Sequence, residues 1–128
     1  MIFLAQWIGA LFGMTAIILG AFGAHALKKI MTPEQLGSFE TGVKYQMYHA
    51  LVLLMLSFNM NLDTSIEKYM VYCFILGTVL FSFSIYGLCI SSAKGSKWKF
   101  LGPITPLGGL LLVVGWALLL YTFIRNLI

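Results

Sequence analysis

One apolar run, from Phe39 to Met60, carries Glu40, Lys44, Gln46 and His49 in its first half. A carboxylate, an ammonium and an imidazole inside greasy sequence could accept a cation, relay protons or act as acid and base. Such groups are costly in a membrane, so they face the protein interior and either pair or function. On a helical wheel of about 100° per residue, with Glu40 at zero, Lys44 falls near 40°, Tyr48 near 80°, Tyr45 near 140° and His49 near 180°. Polar and aromatic groups therefore cover one half of this helix, while Gln46, at roughly 240°, needs a partner of its own. With His25, which ends the preceding apolar stretch, these residues form the candidate polar intramembrane site: His25, Glu40, Lys44, Tyr45, Gln46, Tyr48 and His49.

Each of these residues also has a plainer structural reading. Glu40 and Lys44 stand four apart and suit an ion pair in the interface, with the amine reaching toward headgroups. His49 suits a neutral imidazole bonded to a facing helix, where Ser82, Ser84 and Tyr86 offer hydroxyls. His25, just before Lys28 and Lys29, suits the C-terminal end of a helix, where the dipole favours a cation. Helix rise argues against shared haem ligation by His25 and His49 within one subunit, because it puts them at depths differing by roughly 18 Å. No metal-ligand spacing occurs and no nucleophile or phosphate-binding loop accompanies the polar residues, so no catalytic residue, metal or cofactor is expected.

The elements that must position these groups are membrane helices. Residues are 60% hydrophobic and 9% charged with a mean hydropathy of +0.94, whereas soluble domains are about a quarter charged. At about 20 apolar residues per crossing, the 128 residues accommodate one membrane domain of four spans, at 2–24, 41–60, 69–91 and 106–125. The expected fold is all-α, a four-transmembrane-helix bundle. Ala24-His25-Ala26 looks like a signal-peptide cleavage site, but no Lys or Arg precedes Lys28, so the first span is expected to be retained. Cys73 and Cys89 are separated by about 24 Å along one helix and cannot bond to each other.

Local signals mark the helix boundaries and faces. Thr32-Pro33-Glu34-Gln35 reads as an N-cap, a first-turn proline and a capping-box glutamine. From Pro33 the helix can run unbroken to Met60, about 40 Å, which exceeds the ~30 Å hydrocarbon, so its first two turns belong in the interface. Pro103 or Pro106 fits the first turn of the last helix, where a missing N–H is harmless. Gly9 and Gly13 are four apart, and Ala16, Gly20 and Ala24 extend the row. With Gly108 and Gly109 these glycines are candidates for close helix packing. Six basic residues, Lys28, Lys29, Lys44, Lys94, Lys97 and Lys99, lie in or beside the first and third connections, against Lys68 and Arg125 opposite. The positive-inside rule then puts those connections in the cytoplasm and both termini outside. The net charge of +4 is scattered singly and does not form the basic stripe of a nucleic-acid binder.

Gly-Ala-Phe-Gly-Ala-His at residues 20–25, Phe-Glu-Thr-Gly-Val-Lys-Tyr-Gln-Met-Tyr-His-Ala-Leu at 39–51 and Leu-Gly-Pro-Ile-Thr-Pro-Leu-Gly-Gly at 101–109 together resemble the domain of unknown function 423 family, whose animal relatives are called transmembrane protein 256. The resemblance covers nearly the whole chain and implies four spans and a bacterial inner-membrane or mitochondrial setting. It brings no activity. Ala26 stands where the family pattern has Gly, which would cost strain at a left-handed helix end.

Three functions compete on these grounds. The leading expectation is a non-enzymatic structural or interaction subunit of the bacterial inner membrane, with the lipid bilayer and further copies of itself as partners through the glycine-rich faces. The alternative is a small transporter or channel-like element with a polar path near Glu40 and His49. The third is a membrane enzyme acting on a lipid or quinone. The identity of any small-molecule ligand is not legible.

Overall fold

The computed structural model describes residues 1–128 and is all-helical. Four long helices follow one another: α1, Ile2–Leu27; α2, Pro33–Asn59; α3, Ser65–Ala93; and α4, Ile104–Leu127. A single 3-10 turn, Lys99–Leu101, precedes α4. The starts of α2 and α3 are chemically specified. Thr32 accepts from the Gln35 amide at 3.1 Å while the Gln35 side chain accepts from the Thr32 amide at 3.0 Å, the reciprocal box expected from the sequence. Thr64 and Glu67 repeat it at the head of α3. That helix closes on Gly95, at φ 81°, with Ser96 N–H donating to the Ser91 carbonyl and Gly95 N–H to the Ser92 carbonyl. This is a Schellman end, which needs the left-handed conformation glycine adopts freely.

Ala26 lies within the helical turn Ala24–Leu27, and the only positive φ values are at Leu62 and Gly95. The turn after His25 is right-handed throughout, so alanine fits there without the strain the family comparison raised.

Three segments, Ile2–Leu27, Ser65–Ala93 and Lys99–Leu127, are long and apolar enough to cross a membrane. Helix α2 has the length, 27 residues, but its first half is too polar to match them, because Glu34, Glu40, Lys44 and Gln46 fall there, with His49 just beyond. Only 29 of the 128 residues are buried, and Phe3, Trp7, Phe22 and Phe58 are each more than 70% exposed. Outward-facing aromatics of that size would promote aggregation in water but suit contact with lipid.

Helix α1 packs along α2 and α3 packs along α4, while α2 and α3 join the two pairs. Two apolar clusters result. The larger gathers Phe12, Leu53, Leu62, Met70, Phe74 and Leu112; the smaller gathers Met31, Phe39, Tyr86 and Cys89 at the lysine-rich end. Gln46, midway between Phe39 and Leu53 on α2, marks a polar layer between them. Both α1 and α3 contain a π-helical turn, Ile18–Gly23 and Val79–Phe83. They flank the same stretch of α2: Gly20 lies against Val43 and Ser82 donates to the Gly42 carbonyl at 2.7 Å.

Candidate functional site

Gln46 is fully buried and ties three helices together. Its amide nitrogen donates to the Phe12 carbonyl at 2.9 Å and to the Thr15 hydroxyl at 2.7 Å on α1. Its carbonyl oxygen accepts from the Tyr86 hydroxyl of α3 at 2.7 Å. Thr15 passes its own proton to the Leu11 carbonyl at 2.8 Å. Both amide protons and one oxygen lone pair are thus engaged, which makes the burial of this polar group affordable in a medium without water.

His49, one turn on, is also buried. Its Nδ1 lies 2.7 Å from the Tyr45 carbonyl, which can only accept, so Nδ1 carries the proton. Its Nε2 then accepts from the Trp116 indole N–H at 3.2 Å. Both ring nitrogens are bonded in one neutral tautomer. The partner is not one of the α3 hydroxyls expected from the sequence: Ser82 donates to Gly42, Ser84 bonds the Phe81 carbonyl and Thr105, and Tyr86 bonds Gln46. Phe74 and Trp116 close around the imidazole with centroids 5.7 and 6.2 Å away.

The other candidate residues stand apart from this layer. Glu40 and Lys44 are exposed on the outer face of α2 and take no part in the bonding of its interior. Tyr48 is exposed, and Tyr45 is partly covered by Phe81 at 4.8 Å. His25 is exposed in the last turn of α1. The seven residues therefore do not converge on one cavity. The glycines lie between helices of the same chain: a Cβ on Gly9 would meet the Ala50 carbonyl oxygen at 3.1 Å, one on Gly20 would meet Val43 at 3.1 Å, and one on Gly108 would fall 2.3 Å from the Phe81 backbone nitrogen. Gly13 and Gly109 are in looser contact with Ala50 and Phe81. The α1 row thus packs against α2 within the subunit, so it is not a free face for a second copy.

Sequence reasoning missed Trp116, whose signal was its position: tryptophan favours the membrane interfaces, yet Trp116 sits midway along α4. Gly77 and Gly115 were also missed; they face Leu112 and Phe74 across the α3–α4 contact.

A polar cavity of about 770 Å³ opens at the lysine-rich end, between the first turns of α2, the last turns of α3 and the entrance to α4. Glu34, Ser38, Thr41, Ser92, Lys97 and Thr105 line it. At the other end, α2 and α4 enclose an apolar cleft of about 490 Å³ that includes Met55, Trp116 and Phe123. No group of three metal-binding side chains occurs anywhere.

The sequence matches a family described as "Protein of unknown function (DUF423)" over residues 19–109. The UPF0382 inner membrane protein YgdD of Escherichia coli (strain K12) is 43% identical over 117 residues, covering 91% of this chain and 86% of the relative. A UPF0382 membrane protein of Schizosaccharomyces pombe is 38% identical over 114 residues, with 88% and 95% covered. One of Haemophilus influenzae is 34% identical over 112 residues, with 88% and 86% covered. No solved structure matches. Relatives named as membrane proteins, aligned along almost the entire length of a chain that turns its aromatic side chains outward, leave one assignment: this protein belongs to the DUF423 family of membrane proteins.

Proposed function

We propose that this chain is a four-crossing bundle that serves as a non-enzymatic structural or interaction subunit. The observation that carries this reading is the bonding state of the buried polar residues. Gln46 and His49 are engaged on both sides by groups of the same chain, which makes them fasteners between helices. A general base or proton carrier needs a free lone pair within reach of its substrate, and His49 keeps none.

In this reading α2 is the second crossing despite its polar first half. Its buried polar groups are satisfied by α1, α3 and α4, and Glu40 and Lys44 lie near the interface where long side chains reach headgroups. The six lysines on one side support cytoplasmic first and third connections, and the name of the Escherichia coli relative supports an inner membrane. Self-association would use exposed faces, because the α1 glycines already pack against α2. The polar path of a transporter gains no support from one subunit, since Glu40 and Lys44 are separated from His49 by about half a turn of the wheel.

The test is cysteine-accessibility mapping in spheroplasts combined with native mass spectrometry in mild detergent. Four crossings require labels near Lys94 and Lys28 to report the cytoplasm and labels near Asp63 and Ile128 to report the outside. A cytoplasmic label at Asp63 would overturn the topology, and a strictly monomeric species would overturn self-association.

A further inference from the structure

We infer that the polar cavity at the lysine-rich end binds the headgroup of a zwitterionic phospholipid carrying a primary ammonium, of the phosphatidylethanolamine type. The inference rests on the four-crossing reading for its depth and on the cavity itself for its chemistry. Helix α2 is 27 residues long, about 40 Å, against ~30 Å of hydrocarbon, so its first two turns stand at headgroup level. Glu34 and Ser38 belong to those two turns, and Lys97 belongs to the loop facing them.

The walls carry one charge of each sign. Glu34 comes from α2 and Lys97 from the α3–α4 connection, both line the cavity, and no ion pair joins them. The entrance to α4 lines the same space through Gly102, Thr105 and Pro106, and this 24-residue helix has no side-chain cap at its N-terminus; Pro103 and Pro106 carry no N–H, so the amides of Ile104 and Thr105 are the first-turn donors left for an anion. A phosphodiester beside Lys97 and these amides, with its ammonium toward Glu34, satisfies both walls at once. A purely anionic headgroup would meet the Glu34 carboxylate unfavourably, and a quaternary amine offers it no N–H donor. The hydroxyls of Ser38, Thr41 and Ser92 add neutral partners. The volume, about 770 Å³, lies within the range of roughly 300 to 1,000 Å³ typical of small-molecule sites. A lipid is favoured over a soluble phosphoamine because the cavity lies beside the bilayer surface, where headgroups are locally concentrated.

Native mass spectrometry of full-length protein released from nanodiscs tests this, with phosphatidylethanolamine, phosphatidylcholine and phosphatidylglycerol in equal amounts. The expected result is one retained phosphatidylethanolamine per chain, at least tenfold enriched over the other two. Lys97→Gln and Glu34→Gln should each lose that enrichment, while Lys29→Gln, outside the cavity, should keep it. Both cavity charges are exposed, so these variants should fold, with unchanged helical circular dichroism as the check. Equal retention of the three lipids, a preference for phosphatidylglycerol, or enrichment that survives both variants would overturn the proposal. Displacement by soluble O-phosphoethanolamine at micromolar concentration would overturn the lipid as its source. Cysteine mapping on the same preparations reports the topology independently, so failure of the four-crossing reading is seen separately from failure to bind.

Discussion

Replacing Gln46 with leucine removes three bonds between helices in one step while keeping a side chain of similar size. Interhelical polar bonds inside membranes average about 0.6 kcal/mol each, so the three contacts to Phe12, Thr15 and Tyr86 amount to about 2 kcal/mol. The Tyr86 hydroxyl is then left in a buried position without its acceptor, and an orphaned buried group costs about 1 to 3 kcal/mol more. Gln46→Leu should therefore destabilise by about 3 to 5 kcal/mol. Tyr86→Phe alone should cost about 1 kcal/mol, since it removes one bond and leaves one acceptor unfilled. The double variant carries no orphaned hydroxyl, so it should fall short of the sum by about 1 kcal/mol or more. The assay is reversible unfolding of all four proteins in bicelles, read by tryptophan fluorescence. A coupling energy within about 0.4 kcal/mol of zero would refute the network as an energetic unit.

A methyl group on Gly108 would sit 2.3 Å from the Phe81 backbone nitrogen, so Gly108→Ala should separate α3 from α4 and cost at least about 3 kcal/mol by the same unfolding assay. Gly37→Ala, with nothing within 4 Å, should be neutral or stabilise by up to about 1 kcal/mol. Nitrogen-15 NMR of His49 should report a proton on Nδ1 and a bare, accepting Nε2; a proton on Nε2 would contradict the geometry. Trp116→Phe keeps the ring against Phe74 but deletes the N–H, and should lower stability by about 1 kcal/mol through the unfilled Nε2. Gly95→Ala should cost about 1 to 2 kcal/mol, because the Schellman end holds that residue in the left-handed region.

Much of this protein is written in its local sequence. The capping box at Thr32 and Gln35, the first-turn prolines, the polar connections and the apolar runs all act within four or five residues, so the start of α2 and the approximate extent of each helix follow from chain chemistry alone. Family membership was equally legible, because the motifs around His25, His49 and Pro103 keep their order and spacing. The partners of the polar residues were not. Gln46 bonds Thr15 at a separation of 31 residues and Tyr86 at 40, and His49 meets Trp116 at 67. A helical wheel gives the direction in which a side chain leaves its own helix. Which helix stands there, at what height and with which atom facing inward, depends on how glycines such as Gly9 and Gly108 let backbones approach, and that is decided only when all four helices pack together.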